Sequence, residues 1–378
     1  MKKLISVLLA TAFLLFAAVA LSGCRKKNYE LVLITDPAGI GDRGYNHGAW
    51  EGMTEFCIEK NIDCRYLTPL NTEKDTLLSV IRSAADNGAK VIVTPGSCFE
   101  EAVNEASAEY PDVRFILLDG QPRAAGAQIA DIRKNTSSIL FRSEQSGYAA
   151  GYAAVTDGYV RLGFVGGIAD ADTYAYLCGY LQGAEHAAEV LGAEISAAVH
   201  FTGDKLENDA NTAMAKKLFA EDADLIFVCA GNAGKSVIKA AEEEKSYVIY
   251  SDTDGRYAST RVVTSAVKNI GTAVKAVLRS VYDTKDFEYV YGGKRVYVGA
   301  AEGCTGLASY VINDSNGNAF DRLFKFTKTD HDELLSKLSS GSLTVKDSVT
   351  VSAESGYATA EELTEQLRLD NITVTVIQ

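Results

Sequence analysis

Apolar residues along this chain fall into two alternating rhythms. Short runs rich in Val, Ile and Leu, such as LVLIT at 31–35 and KVIVT at 90–94, have the length and make-up of buried strands. Between them lie longer stretches whose apolar side chains recur every three or four positions. Ala49, Trp50, Met53, Phe56 and Cys57 share one face of a helix over 47–60, and Leu77, Leu78, Ile81 and Ala85 share one face of the next. Asn87-Gly88 stops that second helix. Further strands are expected at 63–67 and 114–119, with a helix over 100–109 halted at Pro111. Strands separated by helices of this length indicate βαβ units and a parallel sheet.

The rhythm then restarts. Strands are predicted at 160–167, 194–201, 223–230 and 247–252, and helices at 174–191, 208–220 and 233–243. Two successive sets imply two α/β lobes. The elements after them, strands at 261–268 and 294–300 with a helix between, look like closing pieces that return to the lobes, so the connection is more than a single linker. The division expected is 24–140 with 256–292 for the first lobe and 141–255 with 293–328 for the second. Residues 329–378, a short helix and a Thr-, Val- and Glu-rich tail, have no assigned role.

The first two dozen residues change the picture by fixing a compartment. Lys2 and Lys3 precede an apolar run that ends in Leu21-Ser22-Gly23-Cys24, the layout of a secretory signal over 1–23. A cysteine directly after the small pair matches a bacterial lipobox, so Cys24 is expected to carry acyl chains; two chains hold a protein firmly on a bilayer. No later run approaches the roughly 20 apolar residues needed to cross one. The expected location is outside the cytoplasm, tethered to the cell membrane.

The formal charge is −13, and −15 once Lys2 and Lys3 are removed. Phosphate backbones need clustered Lys and Arg, so nucleic acid is excluded as a partner. The six remaining cysteines form no C-x-x-C pair and the four histidines are scattered, which argues against a metal site. Cys57 and Cys64 are placed to join a helix end to the next strand, and most of the others read as buried small hydrophobes.

Two glycine patterns invite a nucleotide reading and fail it. Gly39, Gly41 and Gly44 spell G-x-G-x-x-G after the first strand, but Asp36-Pro37-Ala38 intervenes and no acid ends the second strand to hold a ribose. CAGNAGKS at 229–236 resembles a phosphate loop, yet Cys229 stands where its first glycine belongs. No cofactor is expected. The polar groups at strand ends point to a different ligand. Asp36 to Asn46, Asp119, Gly231-Asn232, Asp252 to Asp254 and Lys268 all follow apolar runs. Carboxylates there suit hydroxyl and N–H donors of an uncharged guest, and Tyr45 suits a sugar or base face. Each Asp on its own is equally a helix cap.

Order and spacing of several segments resemble the basic membrane protein family of lipoproteins, the substrate-binding components of ABC importers for purine nucleosides. GDRGYNHGAWEGM is similar to that family's D-x-S-F-N segment. SSILFRSEQSGYAAGYAA is similar to its crossover F-R-x-x-E-x-G-Y-x-A-G and is the most specific match. LGFVGG, GNAG, YSDTD and TSAVK follow in family order. The resemblance implies a type I periplasmic-binding-protein fold: two Rossmann-like lobes with parallel sheets, a three-segment hinge, and a ligand enclosed between them. It implies a monomer working with an ABC permease. Carried over residue by residue, Tyr45 stacks on the base with Asn46 beside it, and Asp119 faces base nitrogens. Gly231 lies near the sugar, Asp252 and Lys268 hold ribose hydroxyls, and Asp36 and Asp42 are second contacts. The chain departs from the pattern where a second stacking aromatic is expected, since Asp204-Lys205-Leu206 stands there, and Ala171 replaces a usual proline. A signalling lipoprotein of the same fold and a nucleoside hydrolase using Asp36, Asp42 and His47 are the alternatives; the hydrolase lacks a marked nucleophile and the G-x-S-x-G elbow.

Overall fold

The computed structural model describes residues 29–41, 43–309, 318–352 and 356–377. Cys24 and Asp42 lie outside the described residues. In chain order the first half holds β1 (Leu31–Ile34), α1 (Tyr45–Lys60), β2 (Cys64–Leu67), α2 (Lys74–Asp86) and β3 (Val91–Pro95). It continues with α3 (Glu100–Glu109), β4 (Arg114–Leu118), β5 (Thr136–Phe141) and α4 (Ser143–Asp157). Next come β6 (Arg161–Gly166), α5 (Ala171–Leu191), β7 (Ile195–Phe201), α6 (Asp209–Glu221), β8 (Leu225–Cys229) and α7 (Ala233–Glu244). After these run β9 (Tyr247–Asp252), β10 (Val262–Lys268), α8 (Ile270–Tyr282), α9 (Phe287–Val290), β11 (Lys294–Val298) and β12 (Thr305–Leu307). The chain closes with α10 (Lys328–Ser339), α11 (Ala360–Leu367) and β13 (Ile372–Ile377).

The strands form two sheets, ordered β11-β5-β4-β3-β1-β2 and β12-β10-β9-β8-β6-β7-β13. Every pairing is parallel except β10 with β12. Both faces of each sheet are covered, which is why the central strands read as continuous apolar runs. In the first lobe α1 and α8 bury Ala49, Met53, Phe56, Val274 and Leu278 against one face. Leu77, Ile81 and Val103 of α2 and α3 cover the other. In the second lobe α4 and α5 pack on one face and α6 and α7 on the other.

Two strands lie in the opposite sheet from the one expected. Residues 262–268 belong to the second sheet and 294–298 to the first. The chain therefore crosses between lobes three times: after Phe141, after Lys268, and between Val298 and Thr305. These crossings are bound to one another. Gln145 Oε1 accepts from Ala300 N at 2.7 Å and from Thr305 Oγ1 at 2.9 Å. Ser146 Oγ donates to Val267 O at 2.8 Å and accepts from Gly306 N at 2.9 Å, while Asn269 N donates to Cys304 O at 2.8 Å. The FRSEQSGYAAGYAA segment thus supplies four of these five bonds, through Gln145 and Ser146. Its Gly151 lets α4 and α5 touch, because a Cβ there would sit 2.0 Å from Tyr180 O.

The tail is part of the second lobe. β13 extends its sheet beside β7, from Ile372 opposite Ile195 to Ile377 opposite His200. Thr359 caps α11 through a reciprocal bond with Glu362, and Leu363 and Leu367 enter the same core as α5. The six cysteines described are free thiols, Cys98 exposed and Cys64 half-buried.

Candidate functional site

The lobes face each other across the C-terminal ends of their strands, where turn amides and side chains of parallel sheets collect. Lys268, the last residue of β10, lies at the centre and is 5 % exposed. Its Nζ is 2.8 Å from Asp119 Oδ2 of the first lobe, and 2.7 Å and 3.2 Å from Asp172 Oδ2 and Asp252 Oδ1 of the second. The rings of Tyr45, Phe141 and Tyr176 surround the ammonium at 5.9, 5.7 and 5.5 Å, within cation–π range. Tyr45 Oη donates to Asp119 Oδ2 at 2.7 Å and Tyr176 Oη to Asp252 Oδ1 at 3.2 Å.

Local backbone explains how the acids reach the centre. Asp119 follows β4 with φ 48° and Asp252 ends β9 with φ 63°. Left-handed turns at non-glycine residues cost of order 1 kcal/mol or more and collect at functional sites; here each turns a carboxylate off the strand end toward Lys268, Asp119 from across the gap and Asp252 from the neighbouring strand. Asp172 is in the first turn of α5, whose start is fixed by Asp170 accepting from Thr173 N at 2.9 Å. Ser143 Oγ donates to Asp172 Oδ1 at 2.5 Å.

Electrostatics follow the geometry. Burial pushes the Asp119 carboxyl up to about 6, with Lys268 opposing and Asp172 adding to the rise. Burial alone would lower the Lys268 ammonium, but Asp119, Asp172 and Asp252 outweigh it and hold it well above its ordinary value. Burial, then the neighbouring Asp119 charge, keeps the Tyr45 phenol protonated.

Of the residues expected from the sequence, Tyr45, Asp119, Asp252 and Lys268 are brought into one bonded cluster. Asp36 and Asn46 are bonded instead to each other, Nδ2 to Oδ1 at 2.8 Å, and the same Oδ1 takes Ala38 N; they shape the loop into α1. Gly231, at φ 52°, turns the chain from β8 into α7 and has the stem of Lys205 against it. Asp172 and Tyr176 were not foreseen. The helix is expected from sequence at 174–191, which leaves Asp172 outside it, and the structure starts it at Ala171 and sets Asp172 against Lys268. A cavity of about 430 Å³ borders the cluster where the lobes meet, lined by Arg43, His47, Asp252, Asp254, Tyr257 and Lys268 among others. It reaches Lys268 and Asp252 but not the Tyr45 ring or Asp119, which are occupied with one another.

Two α/β lobes with parallel sheets, joined by three crossings around a charged interlobe site, define the type I periplasmic-binding fold. The chain belongs to the Bmp family, ABC transporter substrate-binding protein PnrA-like, whose model matches residues 29–341. It is 25% identical over 317 residues to the ABC transporter nucleoside-binding protein BmpA of Lactococcus lactis subsp. cremoris, covering 75% of this chain and 86% of that one. It is 26% identical over 313 residues to basic membrane protein A1 of Borrelia garinii subsp. bavariensis, covering 81% and 88%. An ABC transporter solute-binding protein of Aeropyrum pernix K1 superposes with a TM-score of 0.65 at 20% identity, over 90% of this chain and 98% of that one. Among the described residues no helix is long and apolar enough to cross a membrane.

Proposed function

We propose that this protein captures a nucleoside, with a purine as the preferred base, between its lobes and delivers it to an ABC permease, while acyl chains on Cys24 hold it at the outer face of the cell membrane. The observation that carries this reading is the convergence of Tyr45 and Asp119 from one lobe with Lys268 and Asp252 from the other beside a cavity large enough for a small ligand. The Lactococcus relative named as nucleoside-binding supports the ligand class. Carboxylates accept from base N–H groups and ribose hydroxyls, and an aromatic face such as that of Tyr45 contributes about 1–3 kcal/mol by stacking on a base. Asn46 and Asp36 fix the loop that presents Tyr45. Because groups from both lobes are needed, ligand stabilises the joined arrangement over the parted one, and the permease reads that difference.

The test is a melting screen against nucleosides, free bases and sugars, followed by calorimetric titration. A ligand that binds the folded state alone raises the melting temperature. A shift with purine nucleosides and none with sugars supports the reading. Asp119→Ala and Asp252→Ala are each expected to weaken binding about tenfold or more, since each leaves ligand donors unpaired in an enclosed site. Tyr45→Ala is expected to lose more than Tyr45→Phe. Unchanged affinity in both Asp variants would overturn the site.

A further inference from the structure

Cys57 and Cys64 take no part in the interlobe site, yet the fold brings them together. Cys57 lies in the last turn of α1, where its carbonyl accepts from Ile62 N at 3.0 Å. Asn61 closes that helix at φ 53° and ψ 47°, a left-handed cap that reverses the chain. Cys64 then opens β2 opposite Leu31 of β1. Both side chains reach one apolar cluster, Cys57 inside it at 4 % exposure and Cys64 half-buried at its rim. They are free thiols here, hydrogen-bonded to one another. That bond splits their acidities. It lowers the Cys64 thiol, against burial and Asp63, and it raises the Cys57 thiol, with burial adding to the rise. A thiolate is the nucleophile in cysteine chemistry, so the more acidic sulfur is also the more exposed one. The other four described cysteines stand on separate elements: Cys98 after β3, Cys178 in α5, Cys229 at the end of β8 and Cys304 before β12.

We propose that Cys57 and Cys64 are a disulfide-forming pair that closes once the chain has left the cytoplasm and fastens the C-terminal end of α1 to β2. This uses the export reading above and is independent of the ligand. Disulfides persist outside the cytoplasm, where thiols are no longer kept reduced. The oxidant is a second disulfide, carried by a small molecule or by a protein. The Cys64 thiolate attacks one of its sulfurs, so that the S–S bond breaks, one thiolate leaves and a mixed disulfide remains. Cys57 gives up its proton and attacks the Cys64 sulfur; the mixed bond breaks and the second thiolate leaves. Two thiols become one disulfide, the oxidant's disulfide becomes two thiols, and both protons pass to them. Half-buried Cys64 is the point of entry, and buried Cys57 is the thiol that resolves the intermediate. The bridge ties the helix that carries Tyr45 at its other end to the edge of the first sheet.

Trypsin cuts after Lys60 and Arg65 and so places the two cysteines on separate peptides, 44–60 and 61–65. The exported chain, quenched in acid and blocked with iodoacetamide without reductant, is expected to yield these peptides joined, lighter by two hydrogens than their sum. Reduced chain treated with about 1 mM oxidised glutathione is expected to give the same joined species. Dithiothreitol is expected to lower the melting temperature of the bridged protein by about 5 °C or more, and to leave Cys57→Ala and Cys64→Ala unmoved. In Cys57→Ala, glutathione should remain as a mixed disulfide on the 61–65 peptide, while Cys64→Ala should carry none on 44–60. Unjoined peptides from either the exported or the glutathione-treated chain overturn the proposal, as does an equal effect of dithiothreitol on wild type and both variants. An adduct on 44–60 with none on 61–65 overturns the order of attack. Absence of any exported fraction overturns the export reading and this proposal with it, whereas failure to bind a nucleoside leaves the proposal standing.

Discussion

Asp119 shows how one side chain joins fold, charge and ligand. Its carboxyl is raised to about 6, chiefly by burial, so its contribution to folding stability is complete below the unfolded value near 4 and is lost as pH rises through 6. Ligand binding runs the other way. An N–H or O–H of the ligand needs an ionised acceptor, so nucleoside affinity is expected to fall as pH drops below 6, by up to about tenfold per pH unit. Titrations between pH 5 and 7.5 measure this, and Asp119→Asn should flatten the profile. At this scale the sequence was informative where a polar residue follows an apolar strand: Asp119, Asp252 and Lys268 were legible as strand-end groups and Tyr45 as part of the segment after β1, and the four side chains lie in one bonded cluster. Asp172 was hidden because the helix was expected to begin at 174, leaving the acid in a turn. The early start of α5, set by the Asp170 cap, brings it into the first turn and onto Lys268.

Among elements, the tail departs most from expectation. The family match ends at residue 341, yet α11, β13 and the turn between them bury Leu363, Leu367, Leu369, Ile372 and Val374 in the second lobe. Five such side chains are together worth roughly 5–15 kcal/mol of burial, comparable with the whole stability of a typical domain. A chain ending at Gly341 is therefore expected to be poorly soluble and to melt far below the full protein, because it also bares the edge of β7 to other chains; soluble yield and a melting curve check this. Composition concealed the strand: alternating Thr and Val over 372–377 fit an edge strand, but nothing local says which edge. The exchange of 262–268 and 294–298 between sheets has the same origin. Both runs are recognisable as strands, while sheet membership is decided by where the chain crosses the hinge.

For the whole molecule, the two-lobe plan was legible from the restart of the βα rhythm, and the sheets follow it. Contacts that span the gap were not. Besides Lys268 with Asp119, the guanidinium of Arg43 lies 4.5 Å from the Tyr257 ring of the other lobe, a cation–π contact worth about 0.5–1 kcal/mol at an exposed site. Arg43→Ala is expected to weaken ligand affinity about two- to fivefold and to enlarge the radius of gyration slightly in solution scattering, with no loss of melting temperature beyond a degree or two. An unchanged affinity would mean that the contact takes no part in joining the lobes.

The three crossings, fastened to one another by Gln145, Ser146 and Asn269, have a mechanical corollary. Segments bonded side by side resist sliding independently, so any motion of the halves is expected to be one swing with little shear. Such a swing would return the ammonium on β10 to the same acid at the end of β4, so the geometry of the interlobe site is expected to be set by the joint.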